Sequence, residues 1–380
     1  SEMCIRDRVA GLSELSRTRS EAFGLSLDIK VDLGGLGVLR SLTGYRKLDQ
    51  FNQNDPDDQA SAKTFFGGSN DEGTEFWSQE IDLNGSYFND RLKSTLGFYY
   101  SVDKPFRNEI QNEDARRRFG FENEINFQQQ DTESIGVFGQ ATLDVTDKLA
   151  LTGGIRYTRD NKNFTVSQFV EWDFALAGLA SQFGRPALTP TVEAQPDGST
   201  CNTGVLGTRC VRVAPITGGD TFEAWTPRFA LEYQITDDLM VYAAATKGFK
   251  GGGTNDTVAD IDTPFAPETI WSYEGGLRSE LFNRRLRFNA SYFYSEYNDK
   301  QITVAAAPFC NNRCTTNAGD AILQGFEIES RALLFDSLSI FANVGYLDAK
   351  WETISNPTAG VTLDSPFSRA PKWTLSTGFD

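Results

Sequence analysis

SIGVFGQATLDV, from Ser134 to Val145, leads through Thr146, Asp147 and Lys148 into LALTGGIRYT, from Leu149 to Thr158. In the first segment Ile135, Val137, Ala141, Leu143 and Val145 fall on one face of a two-residue repeat, and Ser134, Gln140, Thr142 and Asp144 fall on the other. Leu149, Leu151, Ile155 and Tyr157 alternate in the same way with Thr152, Arg156 and Thr158. Side chains along a strand point to opposite faces in turn, so the two segments read as one hairpin with a short polar turn. Phe138 is the exception, an aromatic on the polar face.

The same period recurs outward from this hairpin. Leu286, Phe288, Ala290, Tyr292 and Tyr294 alternate with Arg285, Arg287, Asn289 and Ser291, and Leu338, Ile340, Ala342, Val344 and Tyr346 with Ser339, Asn343 and Gly345. Strands are expected near 24–33, 36–48, 76–87, 91–102, 132–145, 149–161, 224–235, 239–248, 269–281, 285–300, 322–334 and 337–350, with a thirteenth from 371. Short turns fall at Gly34-Gly35, Asn89-Asp90, Thr146 to Lys148, Asp237-Asp238, Asn283-Arg284 and Asp336-Ser337. Between them run loops of very unequal length; the longest, about 162–222, contains Phe169, Trp172 and Phe174 and invites a binding or lid role, with tolerated insertion as the alternative.

Short turns at one end and long loops at the other suit an all-β, antiparallel up-and-down β-barrel spanning a bacterial outer membrane. Most of the expected strands reach the roughly 9 to 11 residues that a tilted strand needs to cross a bilayer. Thirteen is an odd number, and an unclosed edge in lipid leaves backbone groups unpaired, so the barrel is expected to be partial. Aromatic clusters such as Tyr292, Tyr294 and Tyr297, or Tyr99 and Tyr100, gather toward the loop ends, where a girdle would meet the outer headgroups. No apolar run is long enough for a transmembrane helix, which a barrel does not need.

Composition agrees with strands and turns: 29 Phe, 12 Tyr and 34 Gly stand against 2 Met. A formal net charge of −16 argues against nucleic acid as a partner. Much of that acidity is local, in Asp49, Asp55, Asp57, Asp58, Asp71, Glu72, Glu75, Glu80 and Asp82, and again in Asp256, Asp260, Asp262 and Glu268. This reads either as a cation-attracting rim or as loop solubility. Lys250 to Gly253 follows a strand but lacks the lysine and hydroxyl of a phosphate loop.

The chain has no histidine, which removes Ser-His-Asp and Cys-His nucleophiles and His-ligated zinc. Glu327 and Glu329 share a strand face, and two acids suffice for glycoside hydrolysis, but paired carboxylates fit a hydrated barrel interior better. No enzyme activity and no cofactor are expected. Cys201 with Cys210, and Cys310 with Cys314, are spaced for two loop-tip disulfides in an oxidising compartment. Residues 1–8 (SEMCIRDR) fit nothing downstream and read as extraneous, leaving 9–380 as the barrel segment.

Read in order, several motifs resemble the barrel of TonB-dependent outer-membrane receptors. They are FGQATLD (138–144), LTGGIRYT (151–158), VYAAATKGFKGGG (241–253), FAPE (265–268), YEGGLR (273–278), NAG (317–319) and GFEIE (325–329). The resemblance implies a 22-stranded barrel around an N-terminal plug. It also implies uptake of a scarce solute such as a ferric siderophore, vitamin B12 or a glycan. Energy would come from the inner-membrane TonB complex through the N-terminal region. Signal, plug, first strands and last strands are then expected to lie outside this chain, about 13 strands of the 22 being present. Arg156, Glu274, Arg278, Glu327 and Glu329 are candidates for lumen-facing contacts to plug or solute, or for pairing with one another across strands. A passive porin, or a soluble β-propeller or carbohydrate-binding protein, are the competing readings.

Overall fold

The computed structural model of the chain describes residues 17–54, 66–113, 121–172, 208–255, 264–304, 314–335, 337–356 and 360–380. The first eight strands are β1 (Arg17–Asp32), β2 (Val38–Asn54), β3 (Phe66–Tyr87), β4 (Leu92–Glu113), β5 (Phe121–Asp144), β6 (Leu149–Trp172), β7 (Thr208–Thr236) and β8 (Leu239–Lys250). A two-residue pair, β9 (Gly253–Thr254) and β10 (Pro264–Phe265), precedes β11 (Glu268–Leu281), β12 (Leu286–Val304), β13 (Cys314–Phe335), β14 (Leu338–Trp351) and β15 (Trp373–Phe379). Apart from β9 and β10, all join one antiparallel sheet in chain order, with β8 beside β11. This is the thirteen-stranded up-and-down arrangement expected, open at β1 and β15. No division into propeller blades occurs among the described residues.

Two faces of opposite chemistry follow from the two-residue period. One face presents Leu25, Leu27 and Ile29 on β1, Leu96 and Phe98 on β4, Val137 on β5, Leu151 and Ile155 on β6, and Phe229 and Leu231 on β7, all exposed. In water so large a continuous apolar patch would drive aggregation; against acyl chains it is the matched surface. Neighbouring strands are registered so that these residues stay on one face, as in Val137 opposite Phe98 and Leu151 opposite Leu231. A slip of one residue would send every apolar side chain to the opposite face.

The inner turns are tight and chemically repeated. Phe88, Asn89 and Asp90, and likewise Phe282, Asn283 and Arg284, hold three successive residues at positive φ. Asn and Asp tolerate that conformation through their short polar side chains, whereas Phe does not favour it. Among the turns expected, Asp336 lies outside the described residues.

Three expectations need correction. First, the supposed loop 162–222 is strand at both ends: β6 runs on to Trp172 and β7 begins at Thr208, while 173–207 lie outside the described residues. Above the bilayer the outward residues turn polar, so alternation vanishes while backbone pairing continues, as in Asn161 with Thr221 and Asn163 with Gly219. Second, Tyr100 faces outward, with its ring 5.8 Å from Trp77, but Tyr99 faces inward beside Arg156. Tyr297 likewise joins an inner cluster with Ala318, Ala321 and Trp351. Adjacent residues on a strand cannot both face lipid. Third, the acidic run is not one loop, because Asp49 belongs to β2 and Asp71 to Asp82 belong to β3. Asp55, Asp57, Asp58, Asp256, Asp260 and Asp262 lie outside the described residues.

An outward girdle forms at the outer boundary from Trp77 with Tyr100, Tyr157 with Trp225 at 5.0 Å, Trp271 with Tyr273 at 6.0 Å, and Tyr346 with Trp373 at 4.7 Å. From Leu149 to Tyr157 the length along β6 is about 26 Å at ~3.3 Å per residue, which a strand tilt of about 40° turns into a rise of roughly 20 Å, most of an outer-membrane apolar band.

Candidate functional site

Four of the five candidate polar residues come together on the inner face. Glu274 and Arg278 on β11 and Glu327 and Glu329 on β13 line a concavity of about 550 Å³, with Tyr242 of β8 and Ser291 and Asn289 of β12 completing the wall. Register explains the grouping: Arg278 lies opposite Asn289, which lies opposite Glu329, and Ser291 lies opposite Glu327. All four charged side chains are exposed to this space. Among the described residues none of them pairs with an oppositely charged side chain within 4 Å, so pairing across strands is not how they are satisfied.

Tyr242 organises the upper part of this wall. Its hydroxyl donates to the Glu274 carboxylate, and the Arg278 guanidinium lies 5.3 Å from the centre of its ring. The ring fits because Gly276 opposes Tyr242 in the register; a Cβ there would stand 2.8 Å from the ring edge and 2.7 Å from the Ala290 carbonyl. In the sequence Tyr242 is marked only as part of the 241–253 motif, because its place opposite Gly276 comes from the register of β8 on β11.

Arg156 stands apart from this group, on the inner face of β6. Its guanidinium packs 5.4 Å from the centre of the Phe138 ring and 5.6 Å from that of Tyr99, while its Nε donates to Thr158 at 3.1 Å. Gly136 leaves room for the guanidinium, since a Cβ there would collide with it. The misplaced aromatic at 138 thereby gains a purpose: it is the inward platform on which a cation is held over a glycine-lined space.

Of the cysteines, Cys314 opens β13, is fully buried and is disulfide-bonded. It and Cys210, within β7, are therefore strand residues rather than loop tips, because both strands extend beyond the membrane boundary. Cys201 and Cys310 lie outside the described residues, as does the opening segment 1–8. No group of His, Cys, Asp and Glu among the described residues is arranged to hold a metal ion.

The family model for the TonB-dependent receptor-like β-barrel matches residues 6–380. Among curated relatives, the metal-pseudopaline receptor CntO of Pseudomonas aeruginosa is 30% identical over 143 residues, covering 38% of this chain and 19% of that receptor. Among solved structures, the ferric yersiniabactin uptake receptor FyuA of Yersinia pestis superposes with a TM-score of 0.65 at 16% identity, covering 96% of this chain and 47% of that one. The siderophore receptor PiuA of Acinetobacter baumannii gives 0.65 at 14% identity, covering 96% and 52%. The chain thus spans about half the length of these solved receptors and a fifth of the curated relative. With the barrel strands, the lipid-facing belt and the family match in agreement, this chain belongs to the TonB-dependent receptor β-barrel family of the outer membrane.

Proposed function

We propose that the chain forms part of the wall of an active-transport receptor that takes up a scarce solute, such as a ferric siderophore, with energy delivered by TonB through the receptor's N-terminal region. The inner concavity carries this reading furthest. Glu274, Arg278, Glu327 and Glu329 are held there without ionic partners among the described residues, as a wall needs if it is to meet a polar plug or solute. The relatives lend support, since CntO is named for a metal chelate and FyuA for ferric yersiniabactin. In this reading residues 9–380 are barrel, residues 1–8 are extraneous, outer-membrane lipid covers the apolar face, and no chemical step is catalysed.

The test is radioiron uptake by the receptor expressed from its complete gene in a strain without other siderophore receptors, supplied with a panel of ferric chelates. Uptake that disappears when TonB is deleted, and that falls in Glu274→Gln and Arg278→Gln receptors of normal abundance, is expected. Uptake indifferent to TonB would instead make the protein a passive channel.

A further inference from the structure

Three stretches singled out by sequence, KGGG (250–253), FAPE (265–268) and NAG (317–319), meet at the outer end of the sheet. The short hairpin β9–β10 carries the first two and lies on the inner face, where it is stitched to β13 by two asparagines acting in opposite senses. Asn255 of the hairpin accepts from the Thr315 N–H at 2.7 Å and donates to the Thr315 carbonyl at 2.9 Å. Asn317 of β13 accepts from the Ala266 N–H at 2.7 Å and donates to the Ala266 carbonyl at 3.0 Å. Each side-chain amide imitates one rung of a β-ladder.

Two further side chains hold the same hairpin from other strands. Gln301 of β12, 7% exposed, spends both amide protons on it, one on the Gly251 carbonyl at 3.1 Å and one on the Ala266 carbonyl at 2.9 Å. Lys162 of β6 reaches across β7 to the Gly252 carbonyl at 2.8 Å, just beyond the end of β8, its ammonium 5.7 Å from the centre of the buried Phe222 ring. Glycine at 252 is what lets the chain through, because a Cβ would stand 2.7 Å from that ring. Beneath the hairpin Glu268 accepts from the Gln301 N–H at 2.7 Å and faces Lys300 at 3.7 Å.

From this geometry we infer that β9–β10 is a fixed brace tying β6 to β13 across the inner side of the outer mouth, and that it stays in place while solute enters. The word solute rests on the uptake reading above; the brace itself does not. Opening the hairpin would strip partners at once from the buried amides of Gln301 and Asn255, from half-buried Asn317 and from the Lys162 ammonium, so it has no hinge at which one contact can be exchanged for another. Within this part of the wall, widening is left to β1 to β5 and to β14 and β15, the strands outside the brace.

Hydrogen–deuterium exchange of the receptor, expressed from its complete gene in outer-membrane vesicles, reads this directly. Peptides covering 251–255 and 264–268 should exchange as slowly as those of the β11 belt, and exchange within seconds would overturn the brace. Gln301→Ala should speed both hairpin peptides together, whereas a rise in one alone would show two independent loops. In a second arm, Ala266→Cys with Asn317→Cys is oxidised to a cross-link and cells are grown under iron limitation on spent medium of the source organism. Growth equal to that of Ala266→Cys alone supports the brace. Loss of growth only on cross-linking makes the hairpin a gate and overturns it. If the single variant and the parent also fail to grow, the uptake reading fails and exchange alone decides.

Discussion

Tyr242 on β8 donates its hydroxyl to the Glu274 carboxylate on β11, across a position that Gly276 keeps clear. A charge-assisted bond between neighbouring strands, facing a hydrated interior, is worth on the order of 1 kcal/mol. Tyr242→Phe should lower the unfolding free energy in detergent by about that amount, and Glu274→Gln by less because an acceptor remains. A Tyr242→Phe protein as stable as its parent would show the bond to be stability-neutral.

The glycines separate sharply by what surrounds them. A Cβ at Gly325 would run into the Tyr346 carbonyl and stand 2.9 Å from the Phe293 ring, whereas nothing lies within 4 Å of a Cβ at Gly153. Overpacking against backbone costs ~1–3 kcal/mol, and open surface changes stay within about 0.5 kcal/mol. Urea midpoints of Gly325→Ala and Gly153→Ala receptors refolded into the same detergent should differ accordingly, with Gly153→Ala near the parent.

Lys162 lies above the lipid belt, and burial holds its ammonium below the ordinary lysine value, with Lys250 adding to the depression and Asp160 opposing it. The unfolded chain therefore keeps a proton that folded Lys162 gives up, over the window between the depressed and the ordinary value. Stability should rise with pH across that window, and the burial cost should be fully felt below it. The measurement is the difference in melting temperature between the parent and Lys162→Met as pH is raised from neutral. The parent should gain on the variant, and a flat difference would rule out the lysine as the source.

For the cysteines, the expectation is two disulfides, Cys201 with Cys210 and Cys310 with Cys314, in keeping with the oxidising space outside the inner membrane. Alkylation of unreduced receptor followed by mass spectrometry should leave all four unlabelled, and labelling of Cys201 and Cys210 would remove that pair.

Wherever lipid contact imposes a strict two-residue period, the strand was legible: β6 and its partners are recognisable from Leu149, Leu151, Ile155 and Tyr157 alone. Above the girdle that constraint ends. Asn161 and Asn163 face the same way as Ile155 but carry no apolar signature, so the upper halves of β5 to β7 read as loop. Period also decided which charged residues face inward, and thus the grouping of Glu274, Arg278, Glu327 and Glu329. It could not show that Tyr242 joins them, nor that Asn255, Gln301 and Asn317 converge. Those contacts depend on strand register and hairpin geometry between residues 32 to 60 positions apart, which no local pattern encodes.

The overhang of β7 has a consequence for the cell's surroundings. Trp225 marks the lipid boundary on that strand, and at about 3.3 Å per residue the run from there to Thr208 is on the order of 50 Å. A paired, hydrogen-bonded palisade of that length stands outside the lipid boundary. Among the described residues, what a phage tail fibre or an antibody meets beyond the belt is paired sheet, and variation under such pressure should concentrate in these overhanging halves rather than in the belt.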